Sequence, residues 1–165
     1  MAIDFFISRC MIQNITAIHF GLCDPGEGQK AYPTPADEDT WIATVDNKSG
    51  AALNFIAVDN CIEIRRPDGN MDNRCDAILT NDRHIVFVEL KDQDKDWINH
   101  AVDDQLQTTI DHFKANHTLD SYAKRDAYAC NRRHPYFKHS LMERMTEFKN
   151  KNDVRLHIDA HIVIK

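Results

Sequence analysis

The apolar positions change rhythm along the chain. Between residues 74 and 91 they run almost unbroken, as Ala77-Ile78-Leu79 and Ile85-Val86-Phe87-Val88, around the polar Asn81-Asp82-Arg83. Short apolar runs bounded by turn residues predict two strands, about 74–80 and 84–91, joined as a hairpin. Upstream, Trp41-Ile42-Ala43-Thr44-Val45 and the stretch from Ala52 to Ile64 read as strands on either side of an Asp46–Gly50 turn. The second of these is bulged near Asp59-Asn60, and Pro67-Asp68-Gly69-Asn70 supplies the next turn. Such short connections predict a largely antiparallel meander.

Downstream the rhythm becomes helical. Ile98, Ala101, Val102, Leu106, Ile110 and Phe113 recur at three and four, which predicts a helix over 97–114 with Asp94 or Asp96 placed to cap it. The run Arg125–Cys130 follows this crossover and is expected to join the sheet parallel to a neighbour. A second helix is expected over Ser140–Asn150, and the alternation of Leu156, Ile158, Ala160, Ile162 and Ile164 predicts a final strand over Val154–Ile164. At the start of the chain, Ile7, Met11, Ile15 and Ile18 lie at helical spacing, so residues 1–22 read as a helix in spite of their β-branched content. Cys23–Asp39, with three prolines and two glycines, reads as a loop. The fold class is α/β with a mixed sheet, in one domain spanning 1–165.

Composition narrows the classes. At 165 residues, 42% hydrophobic and 28% charged, the chain has ordinary globular proportions. It has no apolar run of the ~20 residues that a bilayer requires. The first residues lack the basic segment of a signal peptide, so a cytoplasmic location is expected. Five cysteines, odd in number and without a CxxC pair, make a poor disulfide framework and a poor zinc site, and they read as buried reduced thiols. The nine scattered histidines read as surface residues. Net charge is −6, but it is unevenly spread: residues 1–120 hold 10 Lys and Arg against 21 Asp and Glu, and residues 121–165 hold 10 against 5. An acidic body with a basic tail suits an enzyme that holds metal ions in one place and phosphates in another.

The candidate chemistry lies in the hairpin. Side chains two apart on a strand share a face, so Glu89 and Lys91 point together, and a hairpin brings Asp76 beside Glu89. Two carboxylates set into sheet-forming runs repel unless a cation lies between them. A hard divalent cation such as Mg²⁺ fills that role with carboxylate and carbonyl oxygens. Such an ion polarises a phosphoryl oxygen and acidifies a bound water.

Asp76, the apolar run, the turn and Phe87-Val88-Glu89-Leu90-Lys91 resemble the PD-(D/E)XK nuclease superfamily, in particular its Holliday-junction-resolvase-like branch. The resemblance covers about residues 53–130 and implies a restriction-endonuclease-like core, a mixed sheet flanked by helices, here with extra N-terminal and C-terminal strands. It implies a Mg²⁺-dependent DNA phosphodiesterase, with Mn²⁺ as a substitute, in which Asp76, Glu89 and the Leu90 carbonyl hold the metal and Lys91 is the catalytic lysine. Gln105 is the best match to a helix-borne glutamine that faces the site in many members. The literal Pro-Asp pair, Pro67-Asp68, sits in a turn and is set aside for Asp76. The further acid that the family often supplies from an N-terminal helix has no obvious counterpart. Asp59 and Glu63 are substitutes, although ion pairs to Arg65 or Arg66 are their more ordinary use.

The basic tail adds Lys124, Arg125, Arg132 and Arg133 as candidate nucleic-acid contacts, with His134 and Lys138, and with Tyr136 and Phe137 among them for stacking. DNA is the expected partner, with RNA left open and no membrane. A homodimer would place two sites for cutting both strands, and the lack of an evident recognition domain leaves room for a targeting partner protein. A second reading keeps the nuclease fold without catalysis, as a nucleic-acid-binding or protein-interaction module.

Overall fold

In the computed structural model, residues 2–134 and 141–165 are described. They form ten strands, two α-helices and a π-helical segment in an α/β arrangement with two mixed sheets. Six strands, β1 (Met11–Ile15), β5 (Leu53–Ala57), β6 (Ala77–Thr80), β7 (His84–Lys91), β8 (Lys124–Asn131) and β9 (Arg155–His157), make one sheet in the order β1-β5-β6-β7-β8-β9. The pairs β1–β5, β5–β6 and β6–β7 are antiparallel, whereas β7–β8 and β8–β9 are parallel. The hairpin is present and β7 spans the expected residues 84–91, but β6 starts at Ala77 rather than 74, and the expected meander is reduced to β5-β6-β7 because β4 belongs to the other sheet. The smaller sheet has the order β10-β4-β2-β3, built from β10 (His161–Val163), β4 (Ala43–Asp46), β2 (His19–Cys23) and β3 (Tyr32–Thr34).

The core explains why β6 and β7 are apolar at nearly every position. Ile85 and Phe87 pack with Ala101, Leu106, Ile110 and Phe113 of the helical layer. Val86, Val88 and Leu90 pack with Phe20, Leu22 and Val45 of the smaller sheet. Both faces of the strand are therefore covered, and alternation disappears because neither face meets water. The layers run helices, large sheet, small sheet. Gly21 lies on the outer face of the small sheet, between the inward Phe20 and Leu22: a Cβ there would fall 2.0 Å from the Trp41 ring, so only glycine lets the indole lie against β2.

Several expectations are corrected. Residues 1–22 are not helical: a 3₁₀ turn at Ser8–Cys10 leads into β1, and β2 follows. The helical spacing was misleading because Ile12 and Ile18 are exposed while β2 buries a run of four residues, and ladders to β5 and β4 reward the β-branched content. The Cys23–Asp39 loop contains β3, and Pro33 is tolerated there because β3 is an edge strand. The long strand Ala52–Ile64 is cut to Leu53–Ala57 and turns at Asn60, whose φ is 62°. The helix expected over 97–114 starts as a π-helix, His100–Leu106, and continues as α1, Gln107–Asn116, and no side chain caps its start. The second helix, α2, spans Met142–Asn152. The final strand breaks at Asp159, whose Oδ1 accepts the His161 N–H at 2.9 Å, and its halves β9 and β10 join different sheets.

The thiol expectation is also overturned. Cys10 and Cys61 form a disulfide, and Cys23, Cys75 and Cys130 are the buried free thiols. The bond ties the start of β1 to the turn after β5, across a sequence separation of 51. Closing a loop of that size restrains the unfolded chain by about 4 kcal/mol in the entropic account. Replacing both cysteines with serine is therefore expected to cost about that much, read as a lower urea midpoint with a steeper slope, because the released chain unfolds to a more expanded state. Wild-type protein in a strong reductant should show the same drop, and an unchanged midpoint would show that the bond adds nothing to stability. Nor are all the histidines on the surface. His84 is 1% exposed and donates or accepts across 2.6 Å to Asp126, which also meets His157 at 2.7 Å. Burial alone would raise the Asp126 carboxyl, but the hydrogen bonds to His157 and His84 hold it well below the ordinary carboxylate range.

Candidate active site

On β7, Glu89 and Lys91 continue the row of Ile85 and Phe87 towards the helical layer, as the two-residue period requires. On β6 the residue on that face is Ile78, and Asp76, two positions earlier, lies at the strand's mouth. Register places Ala77 opposite Val88, and the Asp76 N–H still reaches the Val88 carbonyl at 3.0 Å. One step further the ladder ends. The Asp76 Oδ2 then accepts the Leu90 N–H at 2.7 Å, so a side chain takes the place of the missing strand partner. Asp76 is 5% exposed and Glu89 1% exposed, and the Lys91 ammonium stands 3.2 Å from Glu89 Oε2.

This is a costly place for two acids. Burial pushes the Asp76 carboxyl up to about 7, although the Leu90 N–H opposes the rise, and the charges of Asp24 and Asp59 add to it. Burial and the neighbouring Asp76 charge drive Glu89 well above its ordinary value, against the pull of Lys91. The neighbouring carboxyls thus favour the proton on Glu89 and the charge on Asp76. Glu89 Oε1 finds no donor among the described residues. A buried acceptor without a partner costs about 1–3 kcal/mol, more when charged. Oxygen donors that are crowded, buried and under-satisfied fit a hard divalent cation, with Asp76, Glu89 and the Leu90 carbonyl as the available set. Among the described residues no group of three or more His, Cys, Asp or Glu side chains is gathered closely enough to hold a metal.

Gln105 sits on the π-helical segment, half-buried, with its Nε2 3.5 Å from the Arg74 carbonyl and its Oε1 buried without a partner. It approaches the segment that leads into Asp76 but is hydrogen-bonded to neither carboxylate. Arg74 itself is clamped by Asp59 at 3.0 Å and by the Ile62 carbonyl at 3.0 Å, and its Nε is likewise unpaired. Glu63 pairs with Arg65 at 3.2 Å, as expected, whereas Asp59 pairs with Arg74 rather than with Arg65 or Arg66. Asp24 was missed in the sequence. It follows β2 directly, and reading residues 1–22 as a helix removed the strand end that carries it towards the acids.

The four basic candidates are not brought together. Arg132 and Arg133 follow β8 at the Lys91 end, where the Arg132 N–H donates to the Lys91 carbonyl at 2.9 Å. Arg133 forks between Asp92 at 2.9 Å and Asp94 at 3.0 Å, and the Arg132 guanidinium donates to the Asp39 carbonyl. Lys124 and Arg125 begin β8, opposite His84 and Ile85, at the far end of the sheet. His134 meets the Asp94 carbonyl at 2.6 Å. Tyr136, Phe137 and Lys138 lie outside the described residues. No helix among the described residues is long and apolar enough to cross a membrane.

Comparison with protein-family models, with curated proteins and with solved structures gives no significant match to this chain. The likeness to the PD-(D/E)XK nucleases therefore rests on the hairpin motif and its setting.

Proposed function

We propose that this protein is a divalent-metal-dependent nuclease of restriction-endonuclease-like fold that hydrolyses DNA phosphodiesters at the Asp76–Glu89–Lys91 end of β6 and β7. One observation carries the reading. Two carboxylates and an ammonium share one face of adjacent strands in the sheet interior, and one oxygen of Glu89 has no donor. Buried charges in that state are expensive in a purely structural role, because an apolar pair of similar volume would serve the fold at least as well. The helical crossover from β7 to the parallel β8 supports the same fold reading.

A bound Mg²⁺ or Mn²⁺ would supply Lewis acidity towards a phosphoryl oxygen and a water of lowered pKa. The chain's own groups have separate tasks. The Leu90 N–H fixes the rotamer of Asp76, and Glu89 Oε2 fixes the Lys91 ammonium. Held in this way, Lys91 is placed to stabilise negative charge that grows on the phosphate as the ester bond breaks. Gln105 Oε1, without a partner in the helical layer, offers a free acceptor suited to orienting a water. Val88, Leu90 and Phe87 keep bulk water from the back of the site.

The test joins chemistry to binding. Purified protein should cleave DNA in Mg²⁺ or Mn²⁺ and not in EDTA, on at least one of single-stranded, double-stranded and branched substrates. Mn²⁺ at 100 times its Kd should stabilise the wild type by about 2.7 kcal/mol, and should not stabilise an Asp76→Ala, Glu89→Ala double variant. Absence of both cleavage and the metal response would reject the proposal.

A further inference from the structure

The proposed site leaves a second concentration of charge unused. At the opposite end of β7 a cleft of about 530 Å³ is lined by Arg83, Lys124, Arg125, Lys149, Arg155 and Lys165, with only Ala123 and Asp126 besides. The parallel sheet builds it. Arg83 ends the turn before β7, Lys124 opens β8 and Arg155 opens β9, so three neighbouring strands each begin at this edge with a cation. Their backbones are locked together: the Lys124 N–H donates to the Arg83 carbonyl at 2.9 Å, and Arg155 lies in register with Asp126.

The acids at the cleft are already engaged. Asp126 is held between His84 at 2.6 Å and His157 at 2.7 Å. Asp153 bridges Arg125 at 2.6 Å and Lys149 at 2.7 Å. Arg125 is fixed twice, because its Nε also donates to the Tyr122 carbonyl at 3.0 Å. Arg83, Lys124 and Arg155 have no ion-pair partner among the described residues, so their charges converge on open space.

What the lining lacks identifies the ligand. It has no aromatic or large apolar side chain to stack a base or hold an acyl chain. Apart from the engaged Asp126 its charges are cations, spread over three strand ends that together span about 10 Å. That span covers more than one phosphate of a strand whose charges repeat every ~3.4 Å of axis. Arg83 lies six residues before Glu89, about 20 Å along β7, and Arg155, in line with Val86 through Asp126, is the nearer side of the cleft.

We propose that this cleft is a second nucleic-acid contact, which grips the phosphate backbone without reading its sequence, remote from the cleavage site. The proposal rests on the nuclease reading for its choice of polyanion, but its binding does not require the acids or a metal. Anisotropy of a labelled 20-base-pair duplex, titrated with salt in EDTA, measures it directly. The Arg83→Ala, Lys124→Ala, Arg155→Ala variant should bind at least about tenfold more weakly, and its plot of log K against log salt should be shallower by about 3, since each neutralised phosphate contributes about 0.9. A control with the same loss of charge elsewhere, Arg9→Ala, Lys48→Ala, Lys114→Ala, should keep the wild-type slope. If the first triple melts early, Arg155→Glu alone should still lower the slope.

Equal slopes in both triples would overturn the proposal. So would tight binding of anionic phospholipid vesicles that depends on the three residues when duplex binding does not. The two readings fail separately. Salt-dependent binding through the cleft with no metal-dependent cleavage overturns the nuclease alone, and cleavage with equal slopes overturns the cleft alone.

Discussion

Replacing Glu89 with Gln is expected to reduce metal-dependent DNA cleavage by about a thousandfold or more, while the metal-free protein stays folded. The two halves of this outcome have one cause. Glu89 is 1% exposed and lies beside Asp76, and one of its oxygens lacks a donor. A glutamine of the same shape removes the buried charge and its repulsion, and its amide oxygen can still accept from Lys91. For folding, the lost repulsion from Asp76 opposes the cost of leaving the Lys91 ammonium with a neutral partner, and the fold survives the difference. For cleavage, the loss of one of two carboxylates should be severe, since removing even a single preorganised electrostatic group costs about 10²–10³ in rate. Single-turnover cleavage in Mg²⁺ and a thermal melt in EDTA provide the two readouts. Retained cleavage would remove Glu89 from the site. A collapsed fold would show that the ion pair is structural.

The second large effect concerns pH. Without metal, the protein should become less stable as pH rises from about 4 to about 7. Asp76 titrates at 3.8 when unperturbed and at about 7 in the fold. Between those values the folded state keeps a proton that the unfolded state has released, so ∂ΔG/∂pH is negative. Over the whole window the loss is about 4 kcal/mol. Glu89 is raised too and acts in the same direction. Asp126 has the opposite sign, but its depressed value means that its contribution is complete above pH 3.8 and disappears only in stronger acid. It does not mask the slope. Urea unfolding between pH 4 and 8 in EDTA should show the fall, Asp76→Asn should flatten it, and saturating Mn²⁺ should abolish it. A flat wild-type profile would mean that burial does not hold the proton on the acids.

The sequence made the centre of the molecule legible and its margins misleading, for physical reasons. β6, β7 and β8 are covered on both faces, so their apolar runs are long and their ends sharp, and the Asp76–Glu89–Lys91 face follows from the two-residue period alone. β1 lies at a sheet edge with Ile12 47% exposed, and its mixed pattern imitates a helix. Asp24 was lost along with β2. The disulfide joins cysteines with a sequence separation of 51, and no local pattern announces it. The bonds of Asp126 to His84 and His157 depend on three strands meeting in parallel, which no single stretch of sequence encodes. The π-helical turn under Gln105 uses residues that would serve equally well in an α-helix.

β7 lies between β6 and β8, with packed side chains above and below it. Opening such a strand means opening much of the molecule, so its backbone belongs with the last amides to exchange with solvent. Glu89, which it carries, and Asp76, tied to its Leu90 N–H, cannot shift to meet a substrate. Adjustment must come from what lies outside this framework, in the loops that flank the strand ends and in the nucleic acid, which has to bend or fray to place a phosphate against carboxylates that do not move.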